Sequence, residues 1–350
     1  MQRTKKTTKK ISEQIKEHVN ESAQEKKEYD GDLNQIISTG STLLDLAISG
    51  SRIKGGGIPS GILVEIFGPS GAGKTVLLCE IAGGVKRAGG QVMFRDPEAR
   101  LNKQFAQLFD LDIEEVDYDT PNTVPEVFKP IREWEPEPAN KIHGIFADSL
   151  AALSTNMELE DKDQYGMRRA KEFSEECRKT CRILAEKKFL MVCSNQIRQN
   201  LDAGPYGQKY KSPGGEAIGF YSSLRLRCSS GSKIKEKVKI KGKVHTKVIG
   251  VQTDIEVFKS SVAEPYLKAP IYILFDYGID DIRANLQYVK EITGETVYTV
   301  NETKLDKAMN SSIAMVEEEG LEQELKEQVI ELWEEVQSKF KQNRKNKVRK

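Results

Sequence analysis

The segment Gly68–Thr75 constrains this chain more than any other, because it reads Gly-Pro-Ser-Gly-Ala-Gly-Lys-Thr and fits the pattern G-x-x-x-x-G-K-[ST]. In such a loop, glycines let backbone N–H groups turn inward around a polyphosphate, where a Cβ would intrude. Lys74 supplies a positive charge to the β and γ phosphates, and the Thr75 hydroxyl is suited to ligating Mg²⁺. The β-rich run Ile62–Phe67 precedes the loop, and the helical run Val76–Ala82 follows it. We therefore predict a strand, a phosphate-binding loop and a helix whose positive N-terminal dipole faces the phosphates.

Contacts with the polyphosphate are expected from the whole loop and from the residue that follows it. These residues are Gly68, Pro69, Ser70, Gly71, Ala72, Gly73, Lys74, Thr75 and Val76. The alternative is a glycine-rich turn with a chance Lys-Thr pair, which would not require the strand before the loop or the helix after it.

Strands and helices alternate after this loop. Strands are expected at Gln91–Arg95, Lys141–Ala147, Phe189–Ser194, Phe220–Arg227, Ile249–Phe258 and Pro270–Phe275, and helices at Gln104–Phe109, Val124–Trp134 and Met167–Lys187. Alternating βαβ units of these lengths predict an α/β fold with a mostly parallel central sheet covered by helices. Catalytic groups belong at the carboxyl ends of such strands. Glu98, Asp148 and Gln196 all lie there.

Composition narrows the class of protein. The 350 residues are 38% hydrophobic, which is sufficient for a core of ordinary size. Lys and Arg number 54 against 53 Asp and Glu, so the net charge alone says nothing about a nucleic-acid partner. The five cysteines form no zinc spacing, and buried thiols in a reducing compartment are the better interpretation. No apolar stretch reaches about 18 residues, so we expect a cytoplasmic protein that does not enter a membrane.

The segment 198–215 has no periodic pattern of its own. A loop of this length is either functional or disordered. Basic residues alternate with Tyr206 and Tyr210 in it, and this composition suits single-stranded nucleic acid through backbone charge and base stacking. A plain surface loop is the alternative.

The segment Lys233–Lys243 carries a lysine at every second position, six in all. As a single strand it would place all of these lysines on one face. Two interpretations stay open. Lysines on an exposed sheet edge prevent edge-to-edge aggregation, whereas a lysine ridge would contact phosphates.

The two ends of the chain form separate sections. Residues 1–35 are polar, with a narrow apolar stripe at Ile11, Ile15 and Val19 that predicts a short docking helix. Residues 278–350 are expected to form a small α+β domain whose end is basic. The core between the two sections spans residues 36–277.

Several motifs, in this order along the chain, resemble those of the bacterial RecA-type strand-exchange recombinases. They are Ile37–Ser41, Gly68–Thr75, Asp96–Glu98, Ala147–Ala152, Asn195–Arg198 and Gly214–Gly215. The divergence between the motifs is wide and favours a phage or mobile-element relative. The resemblance implies a RecA-like P-loop ATPase core that uses ATP and Mg²⁺ and forms a helical filament, with residues 1–35 as the oligomerisation arm.

The resemblance also implies roles at the phosphate site. Lys74 and Thr75 hold phosphate and Mg²⁺, and Asp148 orients the water shell of the metal. The family carries two lysines, two positions apart, that reach the γ-phosphate of the neighbouring subunit. Here these positions are Lys259 and Ser261, so one bridging charge is missing.

Three further side chains take roles from the same resemblance. Glu98 activates the attacking water, and Phe105 lies where the family places an aromatic ring against the adenine. Gln196 senses the γ-phosphate and relays its presence to the loop 198–215, which lines the DNA.

The loop 156–166 and the helix start after it resemble the other DNA-lining segment of the family. The residues expected to contact DNA in the two segments are Arg168, Arg169, Lys171, Arg178, Arg198, Tyr206, Lys209, Tyr210, Lys211, Gly214 and Gly215.

The leading hypothesis is a DNA-dependent ATPase that polymerises on single-stranded DNA, pairs it with a homologous duplex and exchanges strands. One alternative is a ring-forming helicase motor, but the chain is too short for the primase or linker domain that such motors carry. Another is a non-hydrolysing paralogue that loads or stabilises other recombinases. The residues that argue against it are Lys74, Thr75, Glu98, Asp148 and Gln196.

Overall fold

The structure is a computed structural model that describes residues 35–154, 167–196, 198–199, 210–211, 217–229, 231–341 and 344. The predicted loop 156–166 and all of the predicted arm except Gln35 lie outside the described residues. The strands are β1 (Ile36–Ile37), β2 (Ile58–Pro59), β3 (Leu63–Gly68), β4 (Val92–Arg95), β5 (Asp117–Asp119), β6 (Gly144–Ala147), β7 (Leu190–Gln196), β8 (Arg198–Gln199), β9 (Tyr210–Lys211), β10 (Leu224–Cys228), β11 (Ser232–Ile240), β12 (Lys243–Ser260), β13 (Lys268–Leu274), β14 (Gly278–Ile279), β15 (Thr299–Val300) and β16 (Thr303–Lys304). The α-helices are α1 (Thr42–Ser49), α2 (Lys74–Arg87), α3 (Lys103–Gln107), α4 (Val124–Phe128), α5 (Pro130–Glu133), α6 (Met167–Lys187), α7 (Ala217–Tyr221), α8 (Asp281–Thr293), α9 (Met309–Glu319) and α10 (Glu322–Phe340).

The predicted α/β fold with a mostly parallel central sheet is confirmed. One sheet has the order β14-β13-β12-β10-β3-β7-β6-β4-β5, and β11 pairs with β12 beside this path. In this order, each pair of neighbours between β10 and β5 is parallel. The pairs β14–β13, β13–β12 and β12–β10 are antiparallel. Because β3, β7, β6 and β4 are neighbours and parallel, the residues that follow them meet at one edge of the sheet.

Helices cover both faces of this sheet, because side chains that alternate along the central strands enter two different cores. Ile66 of β3 and Val192 of β7 pack with Leu77 of α2 in one hydrophobic cluster. Leu63 and Met191 of the same two strands belong to a second cluster, which contains the side chains of α4 and α6. The central strands are therefore buried on both sides, as a parallel sheet requires.

Most predicted elements end within about three residues of the observed ones, but the strand predicted at Ile249–Phe258 extends over Lys243–Ser260. Two other predicted elements differ in kind over part of their length. The strand predicted at Phe220–Arg227 begins only at Leu224, because Ala217–Tyr221 forms the helix α7. The helix predicted at Val124–Trp134 is divided into α4 and α5. Pro130 has no backbone N–H to continue α4 and instead occupies the first turn of α5.

The prediction that Lys233–Lys243 forms one strand with all six lysines on one face is wrong. Strand β11 ends at Ile240, and Lys241 and Gly242 form a turn with φ of 47° and 82°. Two successive residues with positive φ are what a tight type I′ hairpin turn requires. Lys243 begins β12 directly opposite Ile240 and so shares the face of Ile240 rather than that of the β11 lysines.

The C-terminal section, residues 278–350, contains α8, the β15–β16 hairpin, α9 and α10. The Asp281 carboxylate of α8 accepts hydrogen bonds from the backbone N–H and the hydroxyl of Thr42, at 2.8 and 2.7 Å. This contact ties α8 to the first turn of α1. None of the helices within the described ranges is long and apolar enough to cross a membrane.

The Ile37–Ser41 motif forms a cradle for the buried carboxylate of Asp45. The Asp45 side chain accepts hydrogen bonds from the Ser38 hydroxyl and from the Thr39 N–H and hydroxyl, the last two at 2.8 and 2.7 Å. Burial nevertheless outweighs these bonds and raises the pKa of Asp45 from 3.8 to about 6.

The raised pKa predicts that Asp45 makes stability depend on pH. The folded state binds the proton more tightly than an unfolded aspartate of pKa 3.8 does, so stability rises as the pH falls through about 6. The difference in the free energy of unfolding between the wild type and Asp45→Asn should therefore be about 1.4 kcal/mol larger, in favour of the wild type, at pH 5 than at pH 8. Urea unfolding at both pH values measures this difference, with Asp276→Asn on the surface as the control. The same difference at the two pH values would contradict the assignment.

Candidate active site

The loop between β3 and α2 has the conformation that the phosphate-binding pattern predicts. Gly71 and Gly73 adopt φ of 73° and 81°, a region that side chains disfavour, and Gly73 is the N-cap of α2. Lys74 Nζ donates hydrogen bonds to the carbonyls of Gly68 and Pro69, at 3.1 and 2.7 Å. Burial lowers the pKa of Lys74. A cation held over the start of a glycine-rich loop at a helix N-terminus fits a polyphosphate.

Asp148 lies beside this loop and is held from two sides. The Thr75 hydroxyl donates to Asp148 Oδ2 at 2.6 Å, and the Ser194 hydroxyl donates to Asp148 Oδ1. Burial raises the pKa of Asp148, and the two hydrogen bonds oppose that shift. A carboxylate next to a hydroxyl at a phosphate loop is a donor set that suits Mg²⁺, which retains much of its water shell. Thr75 and Asp148 are the side chains that would hold the ion.

Glu98 connects the ends of three neighbouring strands. Its Oε1 atom accepts hydrogen bonds from the Ser149 hydroxyl at 2.8 Å and from Gln196 Nε2 at 3.2 Å. Its Oε2 atom pairs with Arg100 at 2.7 Å, and the Arg100 side chain is 79% exposed. Exposed ion pairs are weak, so Oε2 is the oxygen that can become available to a water molecule.

The turn that carries Glu98 is anchored by Asp96. The Asp96 carboxylate accepts hydrogen bonds from the backbone N–H groups of Arg100 and Leu101, both at 2.8 Å, and from the Tyr118 hydroxyl at 3.0 Å. Ala99, within this turn, has a φ of 50°. A non-glycine residue in this region is uncommon and clusters at functional sites, so the surrounding bonds hold Glu98 in a defined position.

The buried carboxylate of Glu65 was not predicted. It accepts a hydrogen bond from Asn195 Nδ2 at 3.0 Å and pairs with Arg225 Nε at 2.6 Å. The Arg225 guanidinium lies 4.5 Å from the ring centroid of Phe67 and 5.4 Å from that of Phe258. The signal was a charged residue inside the apolar run Ile62–Phe67, which requires a buried partner.

Sequence comparison assigns the chain to a family. The RecA N-terminal domain matches residues 5–280. The chain is 33% identical over 250 residues to protein RecA of Thermus thermophilus, an alignment that covers 71% of this chain and 69% of that protein. It is 31% identical over 258 residues to protein RecA of Anaplasma marginale, with 73% and 67% covered.

The chain belongs to the RecA family. The suspected resemblance to RecA-type proteins is thereby confirmed. Protein RecA of Streptomyces venezuelae is similar to it as well, at 31% identity over 247 residues that cover 70% of this chain and 61% of the relative. The motifs Gly68–Thr75, Asp96–Glu98 and Asn195–Gln196 all lie within the matched residues.

In this RecA-family chain, the adenine-facing role of Phe105 stays a prediction. Phe105 lies in α3, partly buried, with its ring centroid 5.1 Å from that of Phe109.

Lys259, the predicted inter-subunit lysine, donates 2.9 Å hydrogen bonds to the carbonyls of Gly219 and Phe220 at the end of α7. Burial lowers the pKa of Lys259. Among the described residues, Lys259 therefore binds the end of α7 and not the phosphate loop.

Only some of the predicted DNA contacts of this RecA-family chain fall within the described side chains. Arg169 donates hydrogen bonds to the carbonyls of Leu150 and Ala151, at 3.3 and 2.7 Å, whereas Lys171 and Arg178 are exposed on α6. Of the second segment, the structure describes the backbone ladder in which β8 pairs with β9. This ladder sets Arg198 opposite Lys211 and Gln199 opposite Tyr210. Outside the described residues lie Tyr206, Lys209, Gly214 and Gly215.

The phosphate loop predicts a difference between two glycine substitutions. An added Cβ at Gly73 would lie 2.3 Å from Ile273 Cδ1, whereas a Cβ at Gly71 would meet nothing within 4 Å. Both substitutions lower stability because alanine disfavours positive φ. Only Gly73→Ala also overpacks a buried side chain, which should lower the free energy of unfolding by about 1–3 kcal/mol more. Urea unfolding should show this extra loss, and Ile273→Val, which removes Cδ1, should restore part of it in the double variant. Equal losses for the two alanine variants would refute the packing argument.

Proposed function

We propose that this RecA-family chain is a DNA-dependent ATPase that forms filaments on single-stranded DNA and catalyses homologous pairing and strand exchange. The observation that carries the proposal is the sharing of Glu98 Oε1 between Ser149 and Gln196. It supports a carboxylate positioned for hydrolysis and joined, through Gln196, to the segment proposed to bind DNA. The proposed setting is the cytoplasm, as an enzyme of DNA recombination and repair.

ATP and Mg²⁺ are the proposed cofactors, and ATP supplies the phosphoryl group that is transferred to water. Lys74 would release its carbonyl partners to bind the β and γ phosphates, and Thr75 and Asp148 would hold Mg²⁺, which would neutralise charge on those phosphates. Glu98 accepts the proton of the attacking water as the general base. Phe105 packs against the adenine. All of these groups except Phe105 lie at the carboxyl edge of β3, β4, β6 and β7. They are therefore close together without any rearrangement of the sheet.

The proposed link between nucleotide and DNA is Gln196, the last residue of β7. The amide of Gln196 holds Glu98 on one side, and β8 begins two residues later, at Arg198. A shift of the amide towards the γ-phosphate would therefore move Arg198 and the β8–β9 ladder. The proposed DNA contacts are Arg168, Arg169, Lys171, Arg178, Arg198, Tyr206, Lys209, Tyr210, Lys211, Gly214 and Gly215.

Filament formation is proposed to use residues 1–35 as the arm that docks on the next subunit. Lys259 would reach the γ-phosphate of that neighbour, after exchanging its bonds to the end of α7. Ser261 carries no charge, so the proposed bridge has a single lysine and a weaker ATP–filament coupling.

Two other functions fit a RecA-like core less well. A non-hydrolysing paralogue that loads other recombinases would not need a carboxylate held in the geometry of Glu98. A hexameric helicase motor would share the site but would assemble into a ring rather than a filament. Electron microscopy separates rings from filaments, and hydrolysis separates an ATPase from a mediator.

Glu98→Gln tests the proposed function. Its amide keeps the acceptor for Ser149 but cannot take a proton, so ATP and DNA binding should persist while turnover falls by about 10²–10⁴-fold. The measurement is the ATPase rate with and without single-stranded DNA, beside electron microscopy of the complexes and with exposed Glu295→Gln as the control. Turnover of Glu98→Gln within a factor of two of the wild type would remove Glu98 from the role of base. The ATPase assignment would be wrong if the wild type hydrolysed no ATP in the presence of DNA.

Gln196→Ala tests the link between the two ligands. The variant should bind ATP with nearly unchanged affinity but lose the tightening of single-stranded DNA binding that ATP produces in the wild type, about 1–3 kcal/mol for couplings of this kind. Fluorescence anisotropy of labelled DNA, with and without a non-hydrolysable ATP analogue, gives both affinities. Gln107→Ala, exposed on α3, is the matched control. The relay is wrong if the analogue tightens DNA binding of Gln196→Ala by the wild-type factor.

A further inference from the structure

Strand β11 and the first part of β12 form a two-stranded ribbon, residues 232–249, that extends beyond the central sheet. Strand β13 pairs with β12 only from Gly250 onwards, and β10 pairs with it only from Ile255 onwards. Over residues 235–247 the two strands pair with each other alone, and every residue there is exposed. The ribbon thus lies free of both hydrophobic cores.

The ribbon carries a dense positive charge. Its seven lysines are Lys233, Lys235, Lys237, Lys239, Lys241, Lys243 and Lys247, and its only acidic residue is Glu236. Within the described part of the chain, none of these lysines forms an ion pair. Like charges this close repel each other and destabilise the ribbon. Such a surface is stabilised when it binds a polyanion.

Both faces of the ribbon contribute to this charge. The lysines of β11 project from one face, because alternate residues of a strand share a face. Lys243 and Lys247 lie opposite Ile240 and Glu236 and therefore share the other face. Lys241 is at the tip, in the turn. The charge surrounds the ribbon rather than lining one edge.

The chemistry of the ribbon distinguishes duplex from single-stranded nucleic acid. Residues 232–249 contain no Phe, Tyr or Trp, whereas proteins that bind single strands stack aromatic rings on the bases. Alternate residues of an antiparallel strand are about 6.8 Å apart, which equals about two base steps along one strand of DNA. A two-stranded β-ribbon also has the width that the major groove admits.

We propose that this ribbon is a docking surface for the phosphate backbone of duplex DNA. The inference rests on the proposed function, in which a duplex is the second DNA partner, and it adds where that partner is held. Contact is sequence-independent, because lysines neutralise phosphates and release counterions without reading base edges. The exposed side chains of Val238, Ile240 and Val244, at 48%, 53% and 64%, lie between the lysines and would approach the groove.

Edge protection is the competing explanation, and it accounts for fewer of these residues. An edge strand is blunted by scattered lysines that discourage pairing with another sheet. It does not require a charge at the turn, where no further strand can pair, or on both faces of the ribbon. Lys241, Lys243 and Lys247 are the residues that edge protection leaves unexplained.

The test is duplex affinity across a salt series for the full chain in which Lys235, Lys237, Lys239 and Lys241 are replaced by Gln. These side chains are exposed and touch no core, so the fold is expected to persist, and circular dichroism checks that it does. The slope of log K against log salt should flatten by about 2–4 units, at about 0.9 per lost phosphate contact. The affinity for single-stranded DNA should stay within a factor of two.

Two controls make the result specific. The first replaces the exposed lysines Lys54, Lys129, Lys141 and Lys188 with Gln, which changes the net charge by the same amount and should leave the slope in place. The second replaces the four ribbon lysines with Arg and should preserve the slope, because the charge is kept.

Two outcomes overturn the proposal. An unchanged slope, with or without increased light scattering of the free protein, excludes the docking surface, and increased scattering assigns the lysines to edge protection. Equal losses of affinity for duplex and single strand show a surface for polyanions in general. A wild type that binds duplex through the ribbon but neither hydrolyses ATP nor binds single strands would refute the proposed function while leaving the ribbon assignment standing.

Discussion

The two hydrogen bonds that Glu98 Oε1 accepts from Ser149 and Gln196 join the ends of β4, β6 and β7. Asp148, next to Ser149, is held by Thr75 of the phosphate loop and Ser194 of β7. Four parallel strands thereby end in one hydrogen-bonded cluster. A proposed metal ligand, a proposed base and a proposed sensor of the nucleotide cannot move independently within it. The order β3-β7-β6-β4 is what makes this convergence possible.

A second polar contact extends the cluster through the sheet. Asn195 of β7 and Arg225 of β10 both bind the buried Glu65 carboxylate of β3. A buried charge that loses its partner costs several kcal/mol, so the positions of β7 and β10 are tied together. Lys259, on β12 beside β10, stabilises the end of α7. These bonds make a continuous physical connection between Gln196 and the strand that carries Lys259.

Local signals predicted the parts of the site that depend on one segment. The phosphate loop follows from glycine spacing and its flanking strand and helix, and Glu98, Asp148 and Gln196 follow from their positions after predicted strands. Ser149, Ser194 and the Glu65–Arg225 pair depend on which strands are neighbours, and hydrophobic patterns do not encode that order. The strand at Lys233–Lys243 was predicted too long, because the lysines at every second position were given more weight than the Lys241-Gly242 pair. That pair forms a turn in which both residues have positive φ.

We propose that the site is one coupled unit in which nucleotide and DNA stabilise the same arrangement. Coupling between two ligands is reciprocal, so the most direct measurement is the affinity of the wild type for a non-hydrolysable ATP analogue, with and without saturating single-stranded DNA. Isothermal titration should show the analogue binding more tightly with DNA, by the factor by which the analogue tightens DNA. Equal affinity in the two conditions would contradict the account.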